Sequence, residues 1–256
     1  MKTHPCKNVN ANQMPIVRYK NMKKTLLTSI LASIIGFSAV SISHSAVILG
    51  WEISGEGTTA VSSSVAETVD VNLDPSSTYN ALTRTGLGAS TAGNAFPSNG
   101  WNITNTFNEN NDYLSFSLLP KSGYEMTLES LSYSINGSNT APGTGRWGFR
   151  IGTGAFLLQN TFNIPFALPT SPVVWDFNDI TTTEAVEFRF WAYGAISING
   201  SVPQATGAVR VGSISGNDLV LNGSVTVVPE PSVSSLLLGG LFGLAGLRFL
   251  GRKRIN

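Results

Sequence analysis

Alternation with a period of two runs through the middle of the chain. Leu114, Phe116 and Leu118 are separated by Ser115 and Ser117, and Val186, Phe188 and Phe190 by Glu187 and Arg189. Successive side chains of a strand point to opposite faces, so each run predicts a strand with one buried face. Leu219 and Leu221 share a face with Val225 and Val227, interrupted by Gly223. Further strands are expected at 47–54, 60–71, 126–135, 146–151, 173–177 and 209–214. Between Leu128 and Leu131 the alternation changes phase, which predicts a β-bulge. Asn-Gly pairs at 99–100, 136–137, 199–200 and 222–223, with Ser-Gly at 122–123, carry turn chemistry. No stretch of this body has the period of an amphipathic helix. Many short strands with regular turn signals predict an all-β fold, an antiparallel β-sandwich of jelly-roll type. Residues 85–111, rich in Gly, Ser, Asn and Thr, read as a long surface loop anchored by Phe96, Trp101, Ile103 and Phe107.

Two apolar runs without that alternation flank the body. The first, residues 26–40, follows Met22-Lys23-Lys24 and precedes Ser43-His44-Ser45-Ala46. A positive start, an apolar stretch and small residues before a cleavage point make a secretory signal helix over 22–45. Residues 1–21 have no hydrophobic pattern and read as a mis-started or disordered extension, with translation beginning at Met22. The second run follows Pro229-Glu230-Pro231. Its residues 233–247 are uncharged, and Arg248, Phe249 and Leu250 extend it by a turn. A helix needs about 20 apolar residues to cross a bilayer, so a transmembrane helix over 233–250 has Arg248 reaching back to the headgroups. Arg252, Lys253 and Arg254 then lie on the cytoplasmic side and the body outside. The chain thus divides into 1–21, a signal peptide at 22–45, a body at 46–228 and a tail at 229–256.

The tail resembles the PEP-CTERM sorting signal of exported bacterial proteins. Pro229, Glu230 and Pro231 match its motif, and Arg248, Arg252, Lys253 and Arg254 match its basic end. The resemblance implies export by signal peptidase and the Sec machinery. It also implies a transient hold in the inner membrane by the C-terminal helix, and recognition by an exosortase-type transpeptidase. The destination it implies is the cell surface, or an extracellular polysaccharide matrix of the biofilm kind. The body resembles exported PEP-CTERM proteins as well, in the order Ile48-Leu49-Gly50-Trp51, Leu82-Thr83-Arg84-Thr85-Gly86-Leu87, Gly100-Trp101 and Asn111-Asp112-Tyr113-Leu114. That group carries over no catalytic residue.

Removing both ends changes the available chemistry. The chain's one cysteine, Cys6, and its two histidines, His4 and His44, all precede the body. Catalysis by Ser-His-Asp or Cys-His, zinc held by His or Cys, and disulfides are excluded from a body processed in this way. The whole chain is near neutral at +1, but the body sets six Lys and Arg against fourteen Asp and Glu, a net charge of −8. That balance argues against nucleic acid as a partner. The six cations, scattered from Arg84 to Arg210, form no patch in the sequence.

Three kinds of chemistry remain for the body. Indole faces stack on sugar rings while Asn, Asp and Arg bind hydroxyls, and Trp101, with Trp147 beside Arg146, are the candidates for such a carbohydrate site. Asp176, Asp179 and Asp218, near strand ends, are weak candidates for a structural calcium ion. A glycan hydrolase needs two cooperating carboxyls, but Glu184 and Glu187 are three apart, which in a strand puts them on opposite faces. The sequence reads as a non-enzymatic, cofactor-free surface or matrix protein, with carbohydrate binding as the alternative and hydrolysis behind it.

Overall fold

A computed structural model describes residues 46–53, 62–76, 78–91, 94–159, 161–212 and 217–229. The signal helix expected at 22–45 and the transmembrane helix expected at 233–250 lie outside them. Of the expected sorting motif only Pro229 is described, and it is exposed. Among the described residues no helix is long and apolar enough to cross a membrane.

The body is all-β. Its strands are β1 (Ala46–Trp51), β2 (Ser63–Val65), β3 (Thr68–Val69), β4 (Ala81–Thr85), β5 (Gly88–Ala89), β6 (Phe96–Asn99), β7 (Tyr113–Leu118) and β8 (Tyr124–Tyr133). There follow β9 (Ile135–Gly137), β10 (Pro142–Ile151), β11 (Leu157–Leu158), β12 (Phe162–Asn163), β13 (Val173–Thr182), β14 (Val186–Ser197), β15 (Val209–Val211) and β16 (Leu219–Val227). One sheet has the order β13-β8-β16-β1-β3 and a second the order β11-β10-β14-β7-β4-β2. A smaller third sheet runs β5-β6-β15-β9. The strand ladders are antiparallel, as in a β-sandwich.

Period-two patterning produces this arrangement directly. In β7, Leu114, Phe116 and Leu118 are buried while Tyr113, Ser115 and Ser117 are half-buried. In β14, Val186, Phe188 and Phe190 share that inner face and pair with Leu118, Phe116 and Leu114. Phe116 and Phe188 stack at 4.9 Å. The two large sheets meet through aromatic contacts: Trp51 on Phe116 at 4.8 Å, Tyr133 on Trp147 at 5.7 Å, and Phe149 on Trp175 at 5.7 Å. Each buried ring contributes about 1.5–3 kcal/mol from apolar burial alone. With a single cysteine, Cys6, the chain can form no disulfide within itself.

The predicted bulge is present. Ser130 pairs with Asn222 and Leu128 with Gly223, so Glu129 is an extra residue in β8. Gly223 belongs to that irregularity, because a Cβ there would run into the Thr127 carbonyl. Two Asn-Gly pairs expected to be turns are therefore strand residues, 222–223 in β16 and 136–137 in β9. The expected loop at 85–111 also contains structure. It holds β5 and β6, and Phe96 and Trp101 are core residues. Loop-like composition was overridden there by pairing with β15.

Ala46 opens β1 opposite Gly223, in the middle of β16, which runs on to Val227. Beyond β16, the Val228 amide donates to the Gly123 carbonyl at 2.9 Å, in the turn that joins β7 to β8. Tyr113, at the other end of β7, lies about 17 Å from Leu118 along the strand.

Candidate functional site

The outward face of β14 does not resemble an ordinary solvated strand. Its phase places Glu187, Arg189, Trp191 and Tyr193 outside, opposite Phe188 and Phe190. Arg146 of β10 and Tyr113 of β7 flank Trp191, and Arg150 and Ser117 flank Glu187. Gly148 and Ser115 flank Arg189 between them. Gly148 makes room for the indole, since a Cβ there would sit 3.0 Å from the Trp191 ring. Three of the body's six cations therefore share one small area, where the sequence reading found no patch. Cross-strand registry gathers Arg146, Arg150 and Arg189, which are as much as 43 positions apart in the chain.

One carboxylate organises two of those arginines. Glu187 accepts from Arg150 at 2.6 and 2.8 Å and from Arg189 Nε at 2.6 Å. The Arg189 guanidinium also lies 4.0 Å from the Tyr113 ring centre and 4.6 Å from that of Phe156. Arg146 is in neither ion pair. Its guanidinium sits 4.9 Å from the Phe107 ring centre, and its Nε is buried with no hydrogen-bond partner among the described residues.

The segment 102–112 straps this face. Phe107 packs against Trp191 at 5.3 Å and Tyr193 at 5.4 Å. The Glu109 carbonyl accepts from Arg189 Nη1 at 3.0 Å and Trp191 Nε1 at 3.3 Å. Asn105 Oδ1 accepts from the Ala195 amide at 2.8 Å. Within the strap, Asn102 closes a local turn, accepting from the Thr104 amide and donating to the Thr106 carbonyl. Asp112 ends the strap at a left-handed φ of 56°, a conformation that Asp tolerates better than most residues. Between strap and sheet lies a shallow surface recess lined by Asn102, Phe107, Asn108, Asn111, Asp112, Trp191, Ala192 and Tyr193. Burial pushes the Asp112 carboxyl above the ordinary carboxylate range.

Chemically, the recess offers amides, a carboxyl and a phenol beside aromatic walls. It encloses no space even for a water molecule, so a ligand can only lie across its rim and not enter it. It lies at the Tyr113 end of β7, away from the turn where Val228 meets Gly123.

The sequence candidates divide. Trp101 and Trp147 are core residues, at 3% and 0% exposure, and present no indole face to a sugar. Trp101 Nε1 donates to the Ser98 carbonyl at 2.6 Å, whereas Trp147 Nε1 is buried without a partner among the described residues. Strand phase puts Trp147 on the face opposite its neighbour Arg146, so of that pair only Arg146 belongs to the outer cluster. Trp191 is also covered, at 2%, between Phe107 and Phe156.

The aspartates do not converge as a calcium site. Asp218 is fully buried and its Oδ2 accepts from the Ile53 amide at 2.9 Å. Asp176 is exposed and caps the Asn178 amide at 3.1 Å, while Asp179 sits at a left-handed φ of 50° in the β13 irregularity. Asp176 pairs with Ser130 and Asp218 lies beside Ser134, about 13 Å apart along β8. Among the described residues no three His, Cys, Asp or Glu side chains gather as metal ligands.

Sequence reasoning missed Phe107, Tyr193, Arg150 and Arg189 as members of one site. The available signal was the phase: charged and aromatic residues at 187, 189, 191 and 193 all fall on the outward side.

A scan against protein-family models and a search of curated proteins each return no match. Among solved structures, the chain is similar to a mutant of CBM29-2, studied for ligand recognition by family 29 carbohydrate binding modules. The identity is 14% and the TM-score 0.32, over 71% of this chain and 91% of that one.

Proposed function

We propose that this chain is an exported, jelly-roll-like sandwich that binds glycan without catalysis, through the outer face formed by β10, β14 and β7. The observation that carries this reading is the amide- and aromatic-lined recess beside Arg146, Phe107 and Tyr193. Amides and guanidinium forks bind hydroxyls and acidic groups, and half-buried rings give a sugar an apolar edge to rest on. The delivery half of the reading rests on the sequence, through the signal segment at 22–45 and the PEP-CTERM-like tail. A body held by that tail presents the Tyr113 end outward.

Binding of the purified full chain to immobilised polysaccharides tests the ligand half. Tyr193→Ala and Asn111→Ala are expected to weaken retention with the fold intact. Unchanged retention in both, or no retention of the parent chain on any polysaccharide, counts against the reading. Cell fractionation of Glu230→Ala tests the delivery half, with accumulation in the inner membrane expected and normal surface display counting against sorting.

A further inference from the structure

The chain holds four Asn-Gly pairs, and the fold treats one of them differently. Asn136–Gly137 lies in β9 with Asn136 buried, and Asn222–Gly223 lies in β16 against the Thr127 carbonyl. Asn99 ends β6, and the Gly100 amide donates to the Ala205 carbonyl at 2.8 Å. Asn199–Gly200 instead follows β14 in a turn, and both residues are exposed. Gly200 has a φ of 84°, and a Cβ there would meet nothing within 4 Å. The Asn199 side-chain carbonyl is surrounded by donors. The Ser201 amide lies at 3.1 Å, and the Ser197 and Ser201 hydroxyls at 2.6 Å each. A backbone N–H can only donate, which fixes the accepting atom as Oδ1. The Ser197 hydroxyl also reaches the Ser201 carbonyl at 2.9 Å, so its one proton has two acceptors.

We propose that Asn199 is a site of self-modification, converting to aspartate and isoaspartate through a succinimide formed with Gly200. The Gly200 nitrogen, its proton taken by solvent base, attacks Asn199 Cγ, and the carbonyl electrons move onto Oδ1. Collapse of that intermediate expels the side-chain nitrogen as ammonia, protonated by water. Water then opens the ring at either carbonyl, so the net change exchanges ammonia for water. The donors around Oδ1 act where negative charge develops, and the Ser197 proton swings to it as that charge builds. Glycine presents no Cβ to hinder ring closure. The reaction must break the Gly200 amide's 2.9 Å bond to the Ser197 carbonyl, which is an exposed turn bond and opens readily. In β9 and β16 the paired strands hold the same dipeptide extended and oppose the rotation that closes the ring.

The test incubates the purified full chain at mildly alkaline pH, folded and in urea. Each Asn-Gly pair is followed by peptide mass spectrometry with an isoaspartate-specific methyltransferase label. Asn199 is expected to convert roughly tenfold faster in the folded chain than in the unfolded one. Asn99, Asn136 and Asn222 are expected to convert only in urea. A double variant, Ser197→Ala with Ser201→Ala, lowers the folded rate at Asn199 about tenfold. Conversion of Asn199 no faster folded than unfolded overturns the proposal. Equal conversion of another Asn-Gly pair in the folded chain overturns the distinction drawn for this turn. An unchanged or faster rate in the double variant, with a parental near-ultraviolet circular dichroism spectrum, means that the hydroxyls only anchor the turn and overturns their role. Should the double variant fail to fold, the folded and unfolded rates of the unaltered chain still decide.

Discussion

Arg146 and Trp191 face each other across the β10–β14 pair, and one Phe107 ring serves both. The ring receives the Arg146 guanidinium at 4.9 Å and meets the Trp191 indole at 78° and 5.3 Å. Phe107 belongs to the strap, so one side chain joins the loop to the sheet face. Removing it uncovers the indole and frees the guanidinium together.

Phe107→Ala is accordingly expected to lower stability by about 1–3 kcal/mol, the sum of lost ring contacts and a cation–π contact at a half-buried site. Protease cleavage should appear within 102–112, and tryptophan emission should shift to the red as Trp191 meets water. Unchanged emission and resistance to cleavage would show that the strap is held by its backbone bonds to Arg189 and Trp191 alone.

Glu187 pairs with two guanidinium groups, one of them with a side chain only 9% exposed. Glu187→Ala leaves both without a carboxylate and is expected to cost about 2–3 kcal/mol, less than the loss of a fully buried pair. The midpoint of urea unfolding should fall with an unchanged slope. A cost near zero would mean that the rings of Tyr113 and Phe156 hold Arg189 unaided.

Two buried tryptophans differ in one respect that a matched pair of substitutions exposes. Trp101 Nε1 has a 2.6 Å acceptor in Ser98, and Trp147 Nε1 has none among the described residues. Each change to Phe removes similar ring volume, but only Trp101→Phe breaks a hydrogen bond. Trp101→Phe should therefore cost at least about 1 kcal/mol more than Trp147→Phe in urea titrations. The reverse order would mean that packing volume, and not the hydrogen bond, sets these costs.

The pH dependence contributed by Asp112 has a definite sign. Burial raises its carboxyl above the ordinary value of 3.8, so the folded protein holds this proton more tightly than the unfolded chain. The resulting stabilisation is complete below 3.8 and is lost as pH rises through the raised value. Asp112→Asn keeps a neutral side chain that tolerates the left-handed φ of 56°. It should flatten that decline and be at least as stable as the parent at pH 7, as read from urea midpoints between about pH 3.5 and 7. A less stable variant at pH 7 would show that the ionised carboxyl is favoured in the fold.

Much of the scaffold was legible along the chain. Phe116 and Phe188 could each be assigned to a buried face, because alternation in a strand is a local property. The phase slip between Leu128 and Leu131 marked the Glu129 bulge for the same reason. The tryptophans were not legible in this way. Trp147 and Arg146 are neighbours in sequence, and nothing in their immediate surroundings says which of the two faces a layer of protein. Asn222-Gly223 carries the chemistry of a turn, yet close approach to the Thr127 backbone makes it part of a strand.

The sequence by itself determined an all-β body, because period-two burial needs no knowledge of partners. It also determined that residues 46–228 hold no histidine or cysteine, because composition is independent of folding. Only the tertiary structure decided where the charge sits. Registry between β10 and β14 brings three arginines to one face and two of them to one carboxylate, and the strap covers Trp191 while Arg146 Nε is left without a hydrogen-bond partner among the described residues. Pairing of distant strands is set by the whole core, so no local pattern could disclose it.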